Sequence, residues 1–207
     1  MQEDAIRKML ADEIARGIIV TGVEGPFDTV CCSTAGDYPS MGVSCWEGIG
    51  GRGDALLACI EGADAYIGRS YSDLESCGAL LDLAALLDSG AGRAAQQKLL
   101  ASDCLGYVDA LRRVPTLDDT RCLIYAGIWC PTSTYVVTRF LRRAWSLYNL
   151  RSLKEIRQLF YDRYWLAADV GEKYRAGYEN RAERTYDYVA GLDLSKYGIP
   201  EYGYYGL

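Results

Sequence analysis

Residues 24–53 read EGPFDTVCCSTAGDYPSMGVSCWEGIGGRG, and this stretch differs from the sequence on either side of it. Its glycines and prolines interrupt any helical or strand periodicity, so the pattern predicts loops and short hairpins. Before it, apolar residues recur at helical spacing through residues 2–18, which predicts an amphipathic helix with one buried face. The residues of that face are Ile6, Met9, Leu10, Ile14 and Ile18.

Helical spacing returns after this segment. It predicts helices over residues 54–62 and 74–88, a turn at residues 90–92, and further helices that carry residues 95–100, 102–113 and 118–130. Beyond Pro131 the sequence becomes more aromatic and more basic. We therefore predict a mainly α fold: a helical domain over residues 1–130 with a small Gly-rich or β-hairpin segment, and a helical, Tyr-rich extension over residues 131–207.

Composition excludes several classes of protein. The chain has 207 residues, of which 50% are hydrophobic and 24% charged, as expected for one globular domain or one domain with an appendage. Lys and Arg number 22 against 28 Asp and Glu, which argues against a nucleic-acid partner. There is no histidine, so Ser-His-Asp triads and histidine metal sites are excluded.

Targeting signals are also absent from the sequence pattern. No run approaches the roughly 18 apolar residues of a membrane span, and MQEDAIRKMLADEIARG lacks the pattern of a signal peptide. We therefore expect a cytoplasmic product. We expect its eight cysteines to be reduced and mostly buried, including Cys59, Cys77, Cys104 and Cys122, which have apolar neighbours.

Basic residues concentrate between Arg139 and Arg163. Such a run is typical of a solvated helix face, and contact with an anionic polymer is the alternative. The run contains Arg139, Arg142, Arg143, Arg151, Lys154, Arg157 and Arg163 against Glu155 and Asp162. The tail is rich in tyrosine, and we expect it to fold back onto the domain. Its tyrosines are Tyr188, Tyr197, Tyr202, Tyr204 and Tyr205.

The carboxylates near the Gly-rich segment are candidate catalytic groups. Glu24 follows the predicted first helix and precedes Gly25, with Phe27 nearby. A glycosidase needs a carboxylic acid that stays protonated near neutral pH, and partial burial favours the protonated form of such a group. Asp37 can hold a water or stabilise positive charge on the sugar, and Asp28 competes with it for this role. Asp37 also fits a turn, because Gly-Asp-x-Pro is ordinary turn chemistry.

The same region resembles a family of phage and prophage endolysins of the lysozyme-like, muramidase type. Members read E-G-x-Y, then S-x-G-x-x-Q-W, then an Arg and a Leu pair. The matching residues here are Glu24-Gly25-x-Phe27, Ser40-x-Gly42-x-x-Cys45-Trp46, Arg52 and Leu56-Leu57, followed by Ala95-Gln96, Leu99, Asp103, Tyr107-Val108 and Leu123-Ile124-Tyr125. The resemblance covers residues 1–130, and Cys45 stands where the family has Gln.

The resemblance implies a helical lysozyme-like fold and cleavage of the N-acetylmuramic acid to N-acetylglucosamine linkage of peptidoglycan, with Glu24 as general acid. Asp37, or a hydroxyl of Ser33, Thr34 or Ser40, then positions the water. Tyr38 and Trp46 line sugar subsites, and no metal or organic cofactor is required. The protein is expected in the host bacterial cytoplasm, reaching the cell wall after holin action or lysis.

Other functions stay open on the sequence. A lytic transglycosylase uses the same acid and the muramic 6-hydroxyl in place of water. A chitosanase-like hydrolase acts on a cationic polymer, which the acidic N-terminal half attracts. The third alternative is a non-catalytic cell-wall-binding or phage structural module that keeps the lysozyme-like shape without the activity. Residues 131–207 either pack on the domain or bind the cell wall.

Overall fold

The structure, a computed structural model, describes residues 2–169 and 171–197. It confirms the predicted mainly α class, because helices dominate and strands form only one small antiparallel sheet. The helices are α1 Gln2–Thr21, α2 Arg52–Leu57, α3 Tyr71–Ser76, α4 Leu80–Asp88, α5 Gly90–Leu111, α6 Thr120–Trp129, α7 Thr134–Ala144, α8 Leu153–Ala167 and α9 Arg175–Ala190. The strands are β1 Val30–Cys32, β2 Pro39–Met41 and β3 Trp46–Glu47. Tyr202, Tyr204 and Tyr205 of the predicted tail lie outside the described residues.

The described chain divides into two compact units. One consists of residues 22–101, and the other of α1 together with the described residues after 101. Helix α5 contributes residues to both. The predicted functional boundary at residue 130 stays a prediction, and the two compact units divide the chain elsewhere.

The unit of residues 22–101 is built around the three-stranded sheet. The strand order is β1-β2-β3, with Val30 opposite Met41 and Ser40 opposite Glu47. The central strand β2 is buried along its whole length. The apolar core beneath it contains Met41, Val43, Trp46, Leu56, Leu57, Leu74, Leu83 and Leu87. The predicted short hairpins are therefore confirmed in the Gly-rich segment, where loops connect the three strands.

Three details of the predicted helices in this unit are wrong. The helix expected over residues 54–62 is α2, which ends at Leu57. Residues 74–88 do not form one helix, because α3 and α4 are separate and Gly78 between them has φ +71°. Residues 90–92 are not a turn but the first turn of α5, which runs without a break to Leu111. The connection is instead Ser89, whose hydroxyl oxygen accepts a hydrogen bond from the Gly92 amide at 3.0 Å as a helix cap does.

The second unit is a group of packed helices. Helix α1 packs on α6 and α9, and α8 packs on α9, α6 and α7. The predicted buried face of α1 is confirmed at Ile6, Leu10, Ile14 and Ile18, while Met9 is only half-buried. The centre of this unit is an aromatic cluster of fully buried rings, with the Trp129 centroid 4.8 Å from those of Phe160 and Tyr164. In such clusters, contacts between rings in favourable orientations stabilise the fold in addition to the burial of apolar surface.

The cysteines follow the prediction only in part. None of the eight forms a disulfide, and Cys104, Cys122 and Cys130 are buried. Cys59 and Cys77 are exposed, so the expectation that they are buried is wrong. Each sits at or just beyond the end of a short helix, where an apolar sequence neighbourhood does not ensure burial. Within the described residues, no helix combines the length and apolar character that crossing a membrane requires.

Candidate functional site

Glu24 lies in the loop between α1 and β1 and is half-buried. Its backbone carbonyl accepts a hydrogen bond from the thiol of Cys45, with Sγ and O 3.2 Å apart. Cys45 presents that thiol because it follows the short 3-10 turn Gly42–Ser44 and adopts a left-handed conformation with φ 47°. This conformation is uncommon for a residue other than glycine. The Cys45 thiol therefore holds the backbone of Glu24.

Gln96 fixes the same region from α5. Its side chain is fully buried, and its Nε2 donates to the carbonyl oxygens of Phe27 at 3.1 Å and Leu87 at 2.9 Å. Its Oε1 accepts from the Val43 amide at 3.0 Å. One amide thus joins the loop that carries Glu24 to the turn that carries Cys45. No role was predicted for Gln96 from the sequence.

Asp37 lies in the connection between β1 and β2 and is exposed. Its two carboxylate oxygens accept hydrogen bonds from Ser72, one from the backbone amide at 2.9 Å and one from the hydroxyl at 2.5 Å. These bonds hold the pKa of Asp37 below its usual range, because they favour the ionised form. Asp37 is therefore an ionised carboxylate at neutral pH, fixed at the start of α3.

A second polar pair lies on the same sheet. The Ser33 hydroxyl donates to Oε1 of Glu47 at 2.6 Å and accepts from the Ala35 amide at 3.1 Å. Glu47 is exposed on β3, next to the buried Trp46, as the alternation of a strand requires. Ser33 was predicted as a hydroxyl that can position a water, whereas no role was predicted for Glu47. The two are 14 residues apart, and only the fold of the sheet joins them.

The three predicted substrate-binding residues differ in exposure. Tyr38 is half-buried, and its ring packs against Gly36. Ser40 is buried on β2, where its hydroxyl donates to the Cys45 carbonyl at 2.9 Å. Trp46 is only 5% exposed and belongs to the core of the unit. A ring buried to that degree offers almost no face to a sugar, so we assign no substrate contact to Trp46 and a positioning contact to Ser40.

The chemistry that this region offers is that of carboxylates and hydroxyls. Glu24, Asp37 and Glu47 all belong to the unit of residues 22–101. Among the residues that the structure describes, no cluster of three or more Cys, Asp or Glu side chains is arranged to hold a metal ion. No protein-family model matches this chain, and no curated protein or solved structure matches it significantly.

Proposed function

We propose that this chain is a glycoside hydrolase of the muramidase type, which cleaves the glycan strands of bacterial peptidoglycan with Glu24 as general acid. The observation that carries the proposal is the immobilised, half-buried position of Glu24. Cys45 binds its carbonyl, and Gln96 binds the loop three residues later. A general acid must be held within hydrogen-bond reach of the leaving oxygen, so a fixed backbone supports this role. The lysozyme-like description of the helical fold is part of the same proposal.

In the proposed reaction, Glu24 donates its proton to the glycosidic oxygen as the bond from that oxygen to the sugar C1 breaks. Positive charge then develops on the ring that keeps C1. Ionised Asp37 stabilises this charge. A water attacks C1 and loses its proton to a carboxylate. Asp37 is the predicted acceptor, and the Ser33 and Glu47 pair adds a second group that can orient the water.

A lytic transglycosylase is the second candidate, and the contacts of Asp37 favour it. Both oxygens of that carboxylate already accept hydrogen bonds from Ser72, which limits its capacity to activate a water. In this reaction the muramic 6-hydroxyl attacks C1 of the same sugar instead. The product then has a 1,6-anhydro end and no water is consumed.

Product analysis separates these functions. Purified peptidoglycan is incubated with the protein, and the released saccharides are identified by mass spectrometry. New reducing N-acetylmuramic acid ends support the muramidase, and anhydro ends support the transglycosylase. Release from chitosan but not from peptidoglycan supports the chitosanase-like alternative. Binding to the wall without new ends from either polymer contradicts the enzymatic proposal and supports a binding module.

The proposed setting is the one that the resemblance implies. The protein accumulates in the host bacterium and meets peptidoglycan after holin action or lysis. Expression in the bacterial cytoplasm with and without a holin tests this, because lysis is expected only with the holin.

A further inference from the structure

A cavity of about 240 Å³ lies between α7 and α8, in the unit that does not contain Glu24. It is lined by Val136, Arg139, Phe140, Arg143, Leu166 and Ala167. The four α7 residues fall at positions i, i+3, i+4 and i+7, so they share one face of the helix. Pockets that enclose drug-sized ligands are usually about 300–1,000 Å³. This cavity therefore fits one charged group with a short chain rather than a large ring system.

Two guanidinium groups at the cavity have no anionic partner. Within residues 2–169 and 171–197, the Arg139 guanidinium lies over the ring of Tyr135, and neither the Arg139 nor the Arg143 side chain makes a hydrogen bond or an ion pair. In the same basic run, Arg151 pairs with Asp118 and Arg157 pairs with Glu183. Arg139 and Arg143 are four positions apart on one helix, where like charges repel. An anion held between them relieves that repulsion.

The walls of the cavity combine this charge with apolar surface. Helix α7 carries three arginines and no carboxylate. Leu166 on the facing helix is 54% exposed, and Phe140 and Val136 complete the apolar part. The planar N–H groups of arginine match the oxygens of a phosphate with paired hydrogen bonds. Short hydrocarbon links on either side of a phosphate can lie against the apolar residues.

We propose that this cavity binds the phosphodiester group of an anionic bacterial wall polymer with short carbon links, of the poly(glycerol phosphate) kind. The choice of a wall polymer as the source of the phosphodiester rests on the proposed function. The site itself rests on the two unpaired arginines and the apolar cavity. It retains the protein at the wall while the other unit carries the hydrolytic chemistry.

Binding of fluorescently labelled poly(glycerol phosphate) to the full chain, measured by anisotropy at roughly physiological ionic strength, tests the proposal. The R139Q/R143Q double variant is expected to lose about tenfold or more in affinity, since charged hydrogen bonds of this kind are among the stronger polar contacts. The matched control K98Q/K154Q removes two exposed charges, on α5 and at the start of α8, outside the cavity. It is expected to change affinity less than about twofold, because distant exposed charges are screened.

Further variants distinguish a specific binding site from nonspecific electrostatic attraction. R139K/R143K keeps the charge but lacks the paired N–H geometry, and its affinity is expected to fall between those of wild type and the Gln variant. L166E places a carboxylate beside the two guanidiniums and is expected to displace the polymer. All variants are compared by circular dichroism, and L166E provides the test if the arginine double variant does not fold.

Four results would overturn the proposal. These are no binding by wild type, equal losses in R139Q/R143Q and K98Q/K154Q, equally tight binding of single-stranded RNA through the same two arginines, and competition by inorganic phosphate as strong as that by the polymer, which would show an ion site. Glu24→Gln is expected to bind the polymer as wild type does, so failure of this binding and failure of the proposed hydrolysis are told apart.

Discussion

The side chain of Gln96 occupies the space that a Cβ atom at Gly42 would require. A Cβ there would lie 2.3 Å from Gln96 Oε1. Gly42 also has φ +70°, a backbone conformation that residues with a side chain rarely adopt. The close approach lets Gln96 Oε1 reach the Val43 amide while its Nε2 reaches two carbonyls. The glycine thus makes room for the amide that holds the turn beside Glu24.

Replacing Gln96 by Ala is expected to destabilise the protein by about 2 kcal/mol or more, because buried backbone groups of Phe27, Val43 and Leu87 then lose their partner. Chemical denaturation measures the free energy of unfolding. Gln97→Ala is the matched control, since the neighbouring side chain is exposed and is expected to contribute less than about 0.5 kcal/mol. Equal effects of the two variants would contradict the buried hydrogen-bond network.

Gly127 on α6 is expected to tolerate no side chain. A Cβ at this position would lie 2.4 Å from Cδ1 of Ile14, which is fully buried on α1. Gly127→Ala is therefore expected to cost about 1–3 kcal/mol by overpacking. Gly106→Ala is the control: nothing lies within 4 Å of that Cβ, and a helical Ala is expected to stabilise by about 0.5–1 kcal/mol. Thermal unfolding of both variants should give opposite signs.

The cysteines are expected to react with a thiol reagent in three groups. Cys31, Cys32, Cys59 and Cys77 are exposed and should react first, and half-buried Cys45 should follow. Burial raises the pKa of Cys104, Cys122 and Cys130, which removes the reactive thiolate. Peptide mapping after labelling identifies each site, with denatured protein as the control in which all eight react. Early labelling of the third group would contradict their burial.

Acid is expected to destabilise the unit that contains α1. Arg7 donates two hydrogen bonds to Asp109, at 2.6 and 2.5 Å, and these lower the pKa of Asp109. A carboxylate with a lowered folded-state pKa contributes stability above its unfolded pKa, near 3.9 for Asp, and loses it as pH falls through the folded value. Asp109→Asn should therefore weaken the loss of stability below about pH 4.

The control for this measurement is Asp82→Asn, at an exposed position. Unfolding midpoints are compared at neutral pH and in acid. If Asp109→Asn has the same pH profile as wild type, the Arg7 pair does not contribute to acid sensitivity.

Helices α1 and α6 could be predicted from the sequence because apolar residues recur in them at helical spacing. Helices α7, α8 and α9 were expected only as an undivided helical extension. The division between α3 and α4 and the start of α5 could not be predicted, because single residues at Gly78 and Ser89 decide them. Apolar repeats carry no information about such caps.

Individual residues of the candidate site could be predicted from the sequence, but the contacts between them could not. Glu24 and Asp37 were identified by residue type and neighbours, but the contact of Asp37 with Ser72 spans 35 residues and that of Gln96 with Val43 spans 53. Trp46 was expected to line a sugar subsite. The alternation of β3 instead turns its side chain into the core and leaves Glu47 outside. Contacts of this kind depend on sheet register, which the sequence alone does not fix here.

The most direct test of the account is the initial rate at which purified peptidoglycan gains new saccharide ends with wild type, Glu24→Gln and Glu61→Gln, a control at an exposed glutamate of the same unit. Loss of a general acid commonly lowers a rate by about 10²–10⁴-fold. We predict a loss in that range for Glu24→Gln, with Glu61→Gln close to wild type and all three proteins equally stable. Equal rates for wild type and Glu24→Gln would contradict the account.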